Sequence, residues 1–150
     1  MKYIIVLIAV SITVVAGCKS DDDMTPDIRE LFEECLVYAD GEFRDLPLDQ
    51  EPVYIHGGSD SLYVHLLSEI NYPAEARENS IQGLTFTSFE ISETGILENI
   101  RDTGSEHEIL GNATIEALSM YDGQVAFIPA ILDGENVRVQ KTIRVKYELE

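Results

Sequence analysis

A short stretch of the chain holds side chains of the types that build a nucleophilic active site: Ser59, Asp60, Ser61 and His65. A serine hydrolase needs a serine in a strained turn, a histidine base and a separate acid that orients the histidine. The sequence provides neither the strained-turn motif nor that acid. The histidines also lack paired metal-ligand spacing, since they stand far apart at His56, His65 and His107. We therefore expect no enzyme activity, no metal site and no cofactor.

A different chemistry is indicated at Cys18, where an apolar run ends in small residues, Val15-Ala16-Gly17. The run follows Lys2 and has the length of a signal-peptide hydrophobic region, which is too short for a bilayer span. This sequence resembles a bacterial lipobox, in which the peptide is cut before the cysteine and the thiol carries lipid. We predict a lipoprotein signal peptide at residues 1–17 and a lipid anchor on Cys18. An ordinary signal peptide and an uncleaved anchor are the alternatives.

The residue after the cysteine bears on the membrane that the lipid enters. Lys19 stands there, in place of the Asp that retains lipoproteins in the inner membrane. We therefore expect a lipid-anchored protein of the cell envelope, in the outer membrane, with the periplasmic face favoured over the cell surface. The run Lys19-Ser20-Asp21-Asp22-Asp23 also resembles surface-export signals, which leaves the cell surface as the alternative.

The charge of the chain is strongly negative and unevenly distributed. It has 28 acidic and 10 basic residues, and a formal charge of −18. This balance argues against nucleic acid as a partner, because phosphate contacts need clustered Lys and Arg. Residues 18–55 carry a disproportionate share of the acid, and Pro47 and Pro52 bracket a stretch without helical periodicity. We predict an acidic tether at residues 18–52 and a folded domain at residues 53–150.

A short helix is predicted within the tether. Apolar side chains recur at helical spacing there, and Pro26 and Asp27 suit a helix start. The recurring positions are Ile28, Leu31, Phe32, Cys35 and Tyr38. On this pattern Cys35 is a small buried hydrophobe, and a redox or intermolecular thiol is the alternative.

The pattern from residue 53 onward is α+β. Leu62, Leu66 and Ile70 belong to the apolar stripe of a first helix, and residues 110–121 show the stripe of a second. Two strands, 84–91 and 96–101, flank a tight turn at Glu93-Thr94-Gly95. We expect a small antiparallel sheet of about three strands, with two main helices packed on one face.

The last strand has the clearest pattern, since apolar and polar residues alternate from Val137 to Leu149. Only Lys141 interrupts the apolar face. Such alternation predicts a strand with one buried face and one wet face.

The order of these landmarks is similar to that of the TonB C-terminal domain family over about residues 52–150. The similarity lies in Tyr72-Pro73-Ala74-Glu75-Ala76-Arg77, then Ile81-Gln82-Gly83, Phe89-Glu90-Ile91, Gly95-Ile96, Phe127-Ile128-Pro129-Ala130 and Asp133-Gly134. Phe127 stands where the family often has Trp, and Thr85 and Thr87 replace its usual Val. The family-motif positions are Tyr72, Pro73, Ala76, Arg77, Gly83, Phe89, Gly95, Pro129 and Gly134.

The resemblance implies a partner and a binding mode. Members of the family bind a short extended peptide of an outer-membrane transporter at the edge of the sheet. Strand addition satisfies unpaired backbone groups of an edge strand. The resemblance implies that the terminal strand, residues 137–149, is this binding edge. A strand that is capped, or paired in a homodimer, is the alternative. The candidate partner-binding residues are Val137, Arg138, Val139, Arg144 and Lys146.

Three of these candidates are basic and share one face of the strand: Arg138, Arg144 and Lys146. Such a stripe favours an acidic peptide if it binds, and it is otherwise solvated or paired with neighbouring Glu.

The resemblance implies a non-enzymatic envelope lipoprotein that binds an extended peptide of a TonB-dependent outer-membrane transporter, or a related envelope partner, in transmembrane transport. The alternative is a structural or accessory subunit of an envelope complex, without peptide binding or energy transduction. A TonB motor protein needs a lasting transmembrane helix and a long linker. The predicted cleavable signal and short tether do not supply them, so we do not expect force transmission by that route.

Overall fold

The computed structural model describes residues 32–149, which fold around a five-stranded antiparallel sheet. Its strands are β1 (Phe32–Ala39), β2 (Glu42–Arg44), β4 (Gly83–Ile91), β5 (Leu97–Asp102) and β9 (Val139–Tyr147). The spatial order is β2-β1-β9-β4-β5, so the last strand of the chain lies in the middle of the sheet. We call it the main sheet.

Two short ribbons lie beside the main sheet. Strand β3 (Val53–Tyr54) pairs with β6 (Phe127–Ile128), and β7 (Ala130–Leu132) pairs with β8 (Glu135–Val137). In sequence, β3 precedes the first helix, and the β7–β8 ribbon directly precedes β9.

Three helices complete the fold: α1 (Ser59–Glu69), α2 (Ala74–Glu78) and α3 (Glu108–Ser119). Their apolar side chains share one core with the residues that β4 and β9 direct to the same side of the sheet. Alternation along both strands produces this side, which we call the helix face. The fully buried large side chains of the core include Leu62, Leu66, Phe89, Ile91, Leu110, Leu118 and Ile143.

Within residues 32–149, no helix has both the length and the apolarity that a bilayer crossing requires.

The prediction of an α+β fold with an antiparallel sheet is confirmed, and α1 and α3 are the two main helices that the apolar stripes predicted. The sheet has more strands than the three expected. The additional strands, β1 and β2, come from the region in which we predicted a tether.

The predicted helix at residues 28–38 is wrong over its described part, because Phe32–Ala39 forms β1. The same residues also carry a two-residue alternation, in which Cys35 and Val37 lie on the helix face opposite Lys141 and Val139. A short apolar segment fits either period, and its pairing with β9 selects the strand. The helix start at Pro26, the signal peptide and Cys18 lie outside the described residues.

The described part of the predicted tether is folded onto the domain. After β2, the chain runs through residues 45–52, which we call the acidic strap. Leu46 and Leu48 of the strap pack against the core, and Gln50 pairs with Ile131. The fold therefore includes residues that precede the predicted boundary at 53.

Two threonines of β4 occupy fully buried positions on the helix face, Thr85 and Thr87. The Thr85 hydroxyl lies 3.1 Å from that of Thr114, which in turn lies 2.9 Å from the hydroxyl of Tyr147. Burial raises the pKa of Tyr147 to about 12. The Thr87 hydroxyl is buried and makes no hydrogen bond within the part of the chain described. The two threonines therefore differ in hydrogen bonding although both are buried.

Thr87→Val should stabilise the protein by about 1 kcal/mol, because it removes a buried hydroxyl that makes no hydrogen bond. Thr85→Val is the matched control and should destabilise it by about 1 kcal/mol, because the buried Thr114 hydroxyl loses a partner. Urea unfolding of the two variants measures both free energies. Destabilisation by Thr87→Val would show that this hydroxyl is satisfied in solution.

Candidate functional site: the edges of the main sheet

A strand can be added only at an edge with unpaired backbone groups, and the β5 edge of the main sheet is obstructed. The N–H of Leu97 donates to the carbonyl of Gln124 at 3.1 Å, and its carbonyl accepts from Gly123 at 2.8 Å. Asn99 adopts a φ of 55°, next to an irregularity in the β4–β5 register. The chain itself therefore blocks the start of this edge and distorts its middle.

The terminal strand is not at the other edge, which corrects the prediction from the sequence. Strand β9 pairs with β4 along its whole length and with β1 from Val139 to Ile143. The predicted strand is also divided, because Val137 pairs with Ala130 in the β7–β8 ribbon and Arg138 lies between the ribbon and β9. The backbone of β9 is therefore occupied on both sides where β1 lies beside it.

Strand β1 lies outside β9 and is itself only partly covered. Strand β2 pairs with Val37, Tyr38 and Ala39, and then the chain leaves the sheet. The N–H of Tyr38 donates to the carbonyl of Arg138 at 2.9 Å. Backbone groups alternate in direction along a strand, so the groups of Cys35 are directed away from β9, and Glu33 lies at an irregularity in the β1–β9 register. No other described strand pairs with these two residues.

Arg138 is engaged by glutamates on the face of the sheet opposite the helices. Its guanidinium lies 3.0 Å from Glu90 and 3.7 Å from Glu93, and it also donates to Glu98. Burial alone would lower the pKa of Arg138, but these hydrogen bonds and charges raise it. Glu90 and Glu98 are directly opposite on β4 and β5, so the guanidinium separates two like charges.

The other basic candidates are not a uniform peptide-binding stripe either. Lys146 lies 2.9 Å from Glu148, while Arg144 is partly buried on β9 and has its own interaction partner. Arg138 and Lys146 are both paired with neighbouring glutamates, which is one of the alternatives stated for the stripe. The chemistry of the stripe therefore gives no reason to favour an acidic peptide.

Lys141 explains the interruption in the apolar face of β9. Its side chain is 8% exposed, and its ammonium lies 3.2 Å from the carboxylate of Glu51 in the acidic strap. Cys35 lies opposite Lys141 in the β1–β9 register. Burial raises the pKa of the half-buried Cys35 thiol, although the Lys141 charge opposes that shift. These contacts hold the strap against the sheet.

The family-motif residues support the fold and are spread through it. Pro73 directly precedes α2, Ala76 is fully buried in that helix, and the hydroxyl of Tyr72 donates to the carbonyl of Ile81. At Gly95 the φ is 81°, and a Cβ would lie 1.8 Å from the carbonyl oxygen of Phe127, so a side chain is excluded there. The remaining members are Arg77 in the last turn of α2, Gly83 and Phe89 on β4, Pro129 between β6 and β7, and Gly134 in the β7–β8 turn.

Among the residues first considered for catalysis and metal binding, the structure describes the surroundings of His65 and His107. His65 makes a 2.8 Å hydrogen bond to the hydroxyl of Tyr54 through Nδ1, and His107 directly precedes α3. No group of three His, Cys, Asp or Glu side chains that could hold a metal ion occurs among residues 32–149. The site that sequence reasoning missed is the outer side of β1, which the alternation of Cys35 and Val37 could have indicated.

Arg138→Ala should lower the free energy of unfolding by about 2 kcal/mol, because Glu90 and Glu98 would then face each other without the guanidinium. Arg44→Ala is the control, since Arg44 pairs with exposed Asp40 and Glu42, and it should cost at most about 0.5 kcal/mol. Urea unfolding near neutral pH compares the two. Equal losses would mean that the Arg138 cluster behaves as an ordinary surface ion pair.

Comparison with known proteins places this fold in a family. The profile of the family described as "Gram-negative bacterial TonB protein C-terminal" matches residues 68–149. No match was found among curated proteins. Two similar solved structures are NMR solution structures of the Helicobacter pylori TonB-CTD.

The first, of residues 179–285 of that protein, is 22% identical, with a TM-score of 0.42 over 65% of this chain and 89% of that chain. The second, of residues 194–285, is 25% identical, with a TM-score of 0.44 over 61% of this chain and 92% of that chain. The family match covers more than half of the sequence, from the end of α1 through β9. This chain therefore belongs to the TonB C-terminal family.

Proposed function

We propose that this protein is a non-enzymatic, lipid-anchored envelope protein that binds an extended peptide of a TonB-dependent outer-membrane transporter, or of a related envelope partner, by strand addition. The TonB C-terminal domain is a transport-associated domain of the cell envelope. The observation that carries the proposal is that the family match includes the whole of β4, β5 and β9. The chain thus contains the sheet that the family resemblance associates with peptide binding.

The two sides of this sheet are not equally suited to accept a strand. On the β5 side, backbone groups of Leu97 are already bonded to residues 123 and 124. On the β9 side, the sheet continues into β1, and β2 covers only part of β1. An incoming strand gains main-chain hydrogen bonds only where such groups are available, so the β1–β9 side is the candidate binding side.

Membrane attachment through Cys18 forms the second part of the proposal. Lipid on this thiol would hold the protein at the outer membrane, on its periplasmic face. Thirteen residues lie between Cys18 and Phe32, where β1 begins. A fully extended segment of that length spans about 50 Å, so the domain would stay close to the bilayer surface.

One observation favours the structural alternative. Strand β9 has β1 on one side and β4 on the other. Proteins that avoid strand addition cover their edge strands in this way. An accessory subunit of an envelope complex could use such a closed sheet without binding a peptide. The position of crosslinks to a partner distinguishes the two functions.

Cys18→Ala should move the protein from the membrane fraction to the soluble fraction, because the residue that carries the lipid is removed. Fractionation with immunoblotting measures the distribution, and mass spectrometry of the wild-type N-terminus checks for acylation. Cys35→Ala is the matched control and should leave the protein on the membrane. Retention of the Cys18 variant on the membrane would refute the lipid anchor.

A photo-crosslinking phenylalanine analogue at Lys146 should capture an outer-membrane transporter in intact envelopes. The Lys146 side chain is 51% exposed on β9, beyond Ile143, where the described pairing with β1 ends. The control position is Val125, which is 57% exposed and pairs with Ile96 beside the β5 edge. Mass spectrometry should locate the Lys146 adduct in an extended segment of the transporter and find no such adduct from Val125. The same adducts from both positions, or no transporter from Lys146, would favour the structural alternative.

A deletion of the last strand cannot test peptide binding. Since β9 is the central strand of the main sheet, removal of residues 137–150 would unfold the domain, and loss of binding would then be uninformative.

A further inference from the structure

The β1–β2 hairpin, residues 32–44, occupies a position that an added strand would take. The family match begins at residue 68, so the hairpin lies outside it. Within the matched part, the main sheet consists of β9, β4 and β5 in that order. The hairpin adds β1 antiparallel to the exposed side of β9, as a bound peptide strand would be added.

The backbone groups that β1 uses are those that an external strand would need. The bond from Tyr38 to Arg138 fixes the alternation, so the even-numbered residues of β9 direct their N–H and carbonyl groups toward β1. Gln140 and Thr142, opposite Leu36 and Glu34, are two such residues. An external strand can therefore pair with this part of β9 only if β1 leaves it.

The described side chains of β1, at positions 35–39, hold it to the sheet mainly through Val37. Val37 is fully buried, whereas Cys35, Leu36 and Ala39 are partly buried and Tyr38 is exposed. Replacement of β1 by another extended segment would restore the same kind of backbone hydrogen bonds. Among these five side chains, the main loss on replacement is the burial of Val37.

The chain after the hairpin has its own attachments. Asp49 donates its N–H to Ile131 at 2.8 Å and accepts from the N–H of Gly134 at 3.1 Å, and Glu51 pairs with Lys141. These contacts fix the acidic strap to the β7–β8 ribbon and to β9. Movement of the hairpin while the strap stays in place therefore needs a pivot at Asp45, between β2 and the packed Leu46.

We infer that β1 is an internal occupant of the peptide-binding edge, and that an external extended peptide binds β9 by replacing it. This inference rests on the proposed function, and it assigns to β1 the regulation of that site. The apparent affinity for the peptide is then the intrinsic affinity multiplied by the fraction of molecules in which β1 has left β9. Contacts that hold β1 lower the affinity, and contacts that release it raise the affinity.

A reversible covalent lock tests the exchange. Cys35 and Lys141 form a non-hydrogen-bonded pair, in which Cα atoms of antiparallel strands lie about 4.5 Å apart, within disulfide range. Lys141→Cys in the full-length protein should therefore bind β1 to β9 when oxidised and release it when reduced. The probe is a fluorescein-labelled synthetic peptide of residues 32–41 with Cys35→Ser, and fluorescence anisotropy measures its binding.

The reduced Lys141→Cys protein should bind the probe at least about tenfold more tightly than the oxidised protein, because the lock leaves no β1-free molecules. The control is the double variant Cys35→Ser with Lys141→Cys, which cannot form the bond and should bind equally under both conditions. Peptide mapping confirms the linkage. Equal binding by the locked and reduced forms would overturn the inference, because the probe would then add outside β1.

A second variant tests the same equilibrium without a disulfide. Val37→Ala weakens the hold on β1 and should raise the affinity for the probe about threefold or more. Val53→Ala on β3 is the matched control and should leave that affinity unchanged. No detectable binding of the probe by either Val37→Ala or reduced Lys141→Cys would also overturn the inference.

Recovery of the transporter from envelopes distinguishes failure of this inference from failure of the proposed function. Recovery of the transporter in equal amounts by locked and reduced protein would refute β1 exchange and leave peptide binding intact. Exchange of the probe as expected, with no transporter recovered by any form, would instead refute the proposed function.

Discussion

The antiparallel pairing of β4 with β9 is the interaction on which the rest of the structure is assembled. Nine residues of each strand are in register, from Gly83 opposite Tyr147 to Ile91 opposite Val139. The pair presents apolar side chains to the helices on one face and polar side chains on the other. Since β5, α3, β6 and the β7–β8 ribbon lie between the strands in sequence, the pairing closes a long loop. Burial of the common core must compensate for that loss of chain entropy.

The strands beside this pair decide how the sheet can meet another molecule. On one side, β5 is short, distorted at Asn99 and capped by residues 123 and 124. On the other side, β1 provides hydrogen bonds for β9, and of its side chains at positions 35–39 only Val37 is fully buried. On the face opposite the helices, Arg138 forms ion pairs with Glu90 of β4 and Glu98 of β5. These charges therefore interact mainly with one another, within the sheet. Because of this asymmetry, the β1–β9 side is where a strand of the sheet can be replaced by an external one.

Much of the domain could be predicted from sequence, because local patterns there agree with tertiary packing. The stripes through Leu62 and Leu66, and through Leu110 and Leu118, predicted α1 and α3, whose apolar sides do enter the core. The β1 segment was misassigned because its apolar residues satisfy a helical spacing and an alternation at once. A segment this short takes its conformation from the strand it pairs with, and that strand lies about a hundred residues away in the sequence. For the same reason, the sequence did not indicate that β1 lies beside the predicted edge strand.

The sequence by itself determined which residues face the core and where the chain turns. Alternation from Val139 to Tyr147 specified the buried side of β9, and Gly95 specified a turn that admits no side chain. Only the tertiary structure decided which strands are neighbours, and therefore that β9 is central and β1 lies beside it. The physical reason is that strands pair through backbone N–H and carbonyl groups, which are nearly the same in every residue. Side-chain patterns can therefore specify the face of a strand but do not identify its partner.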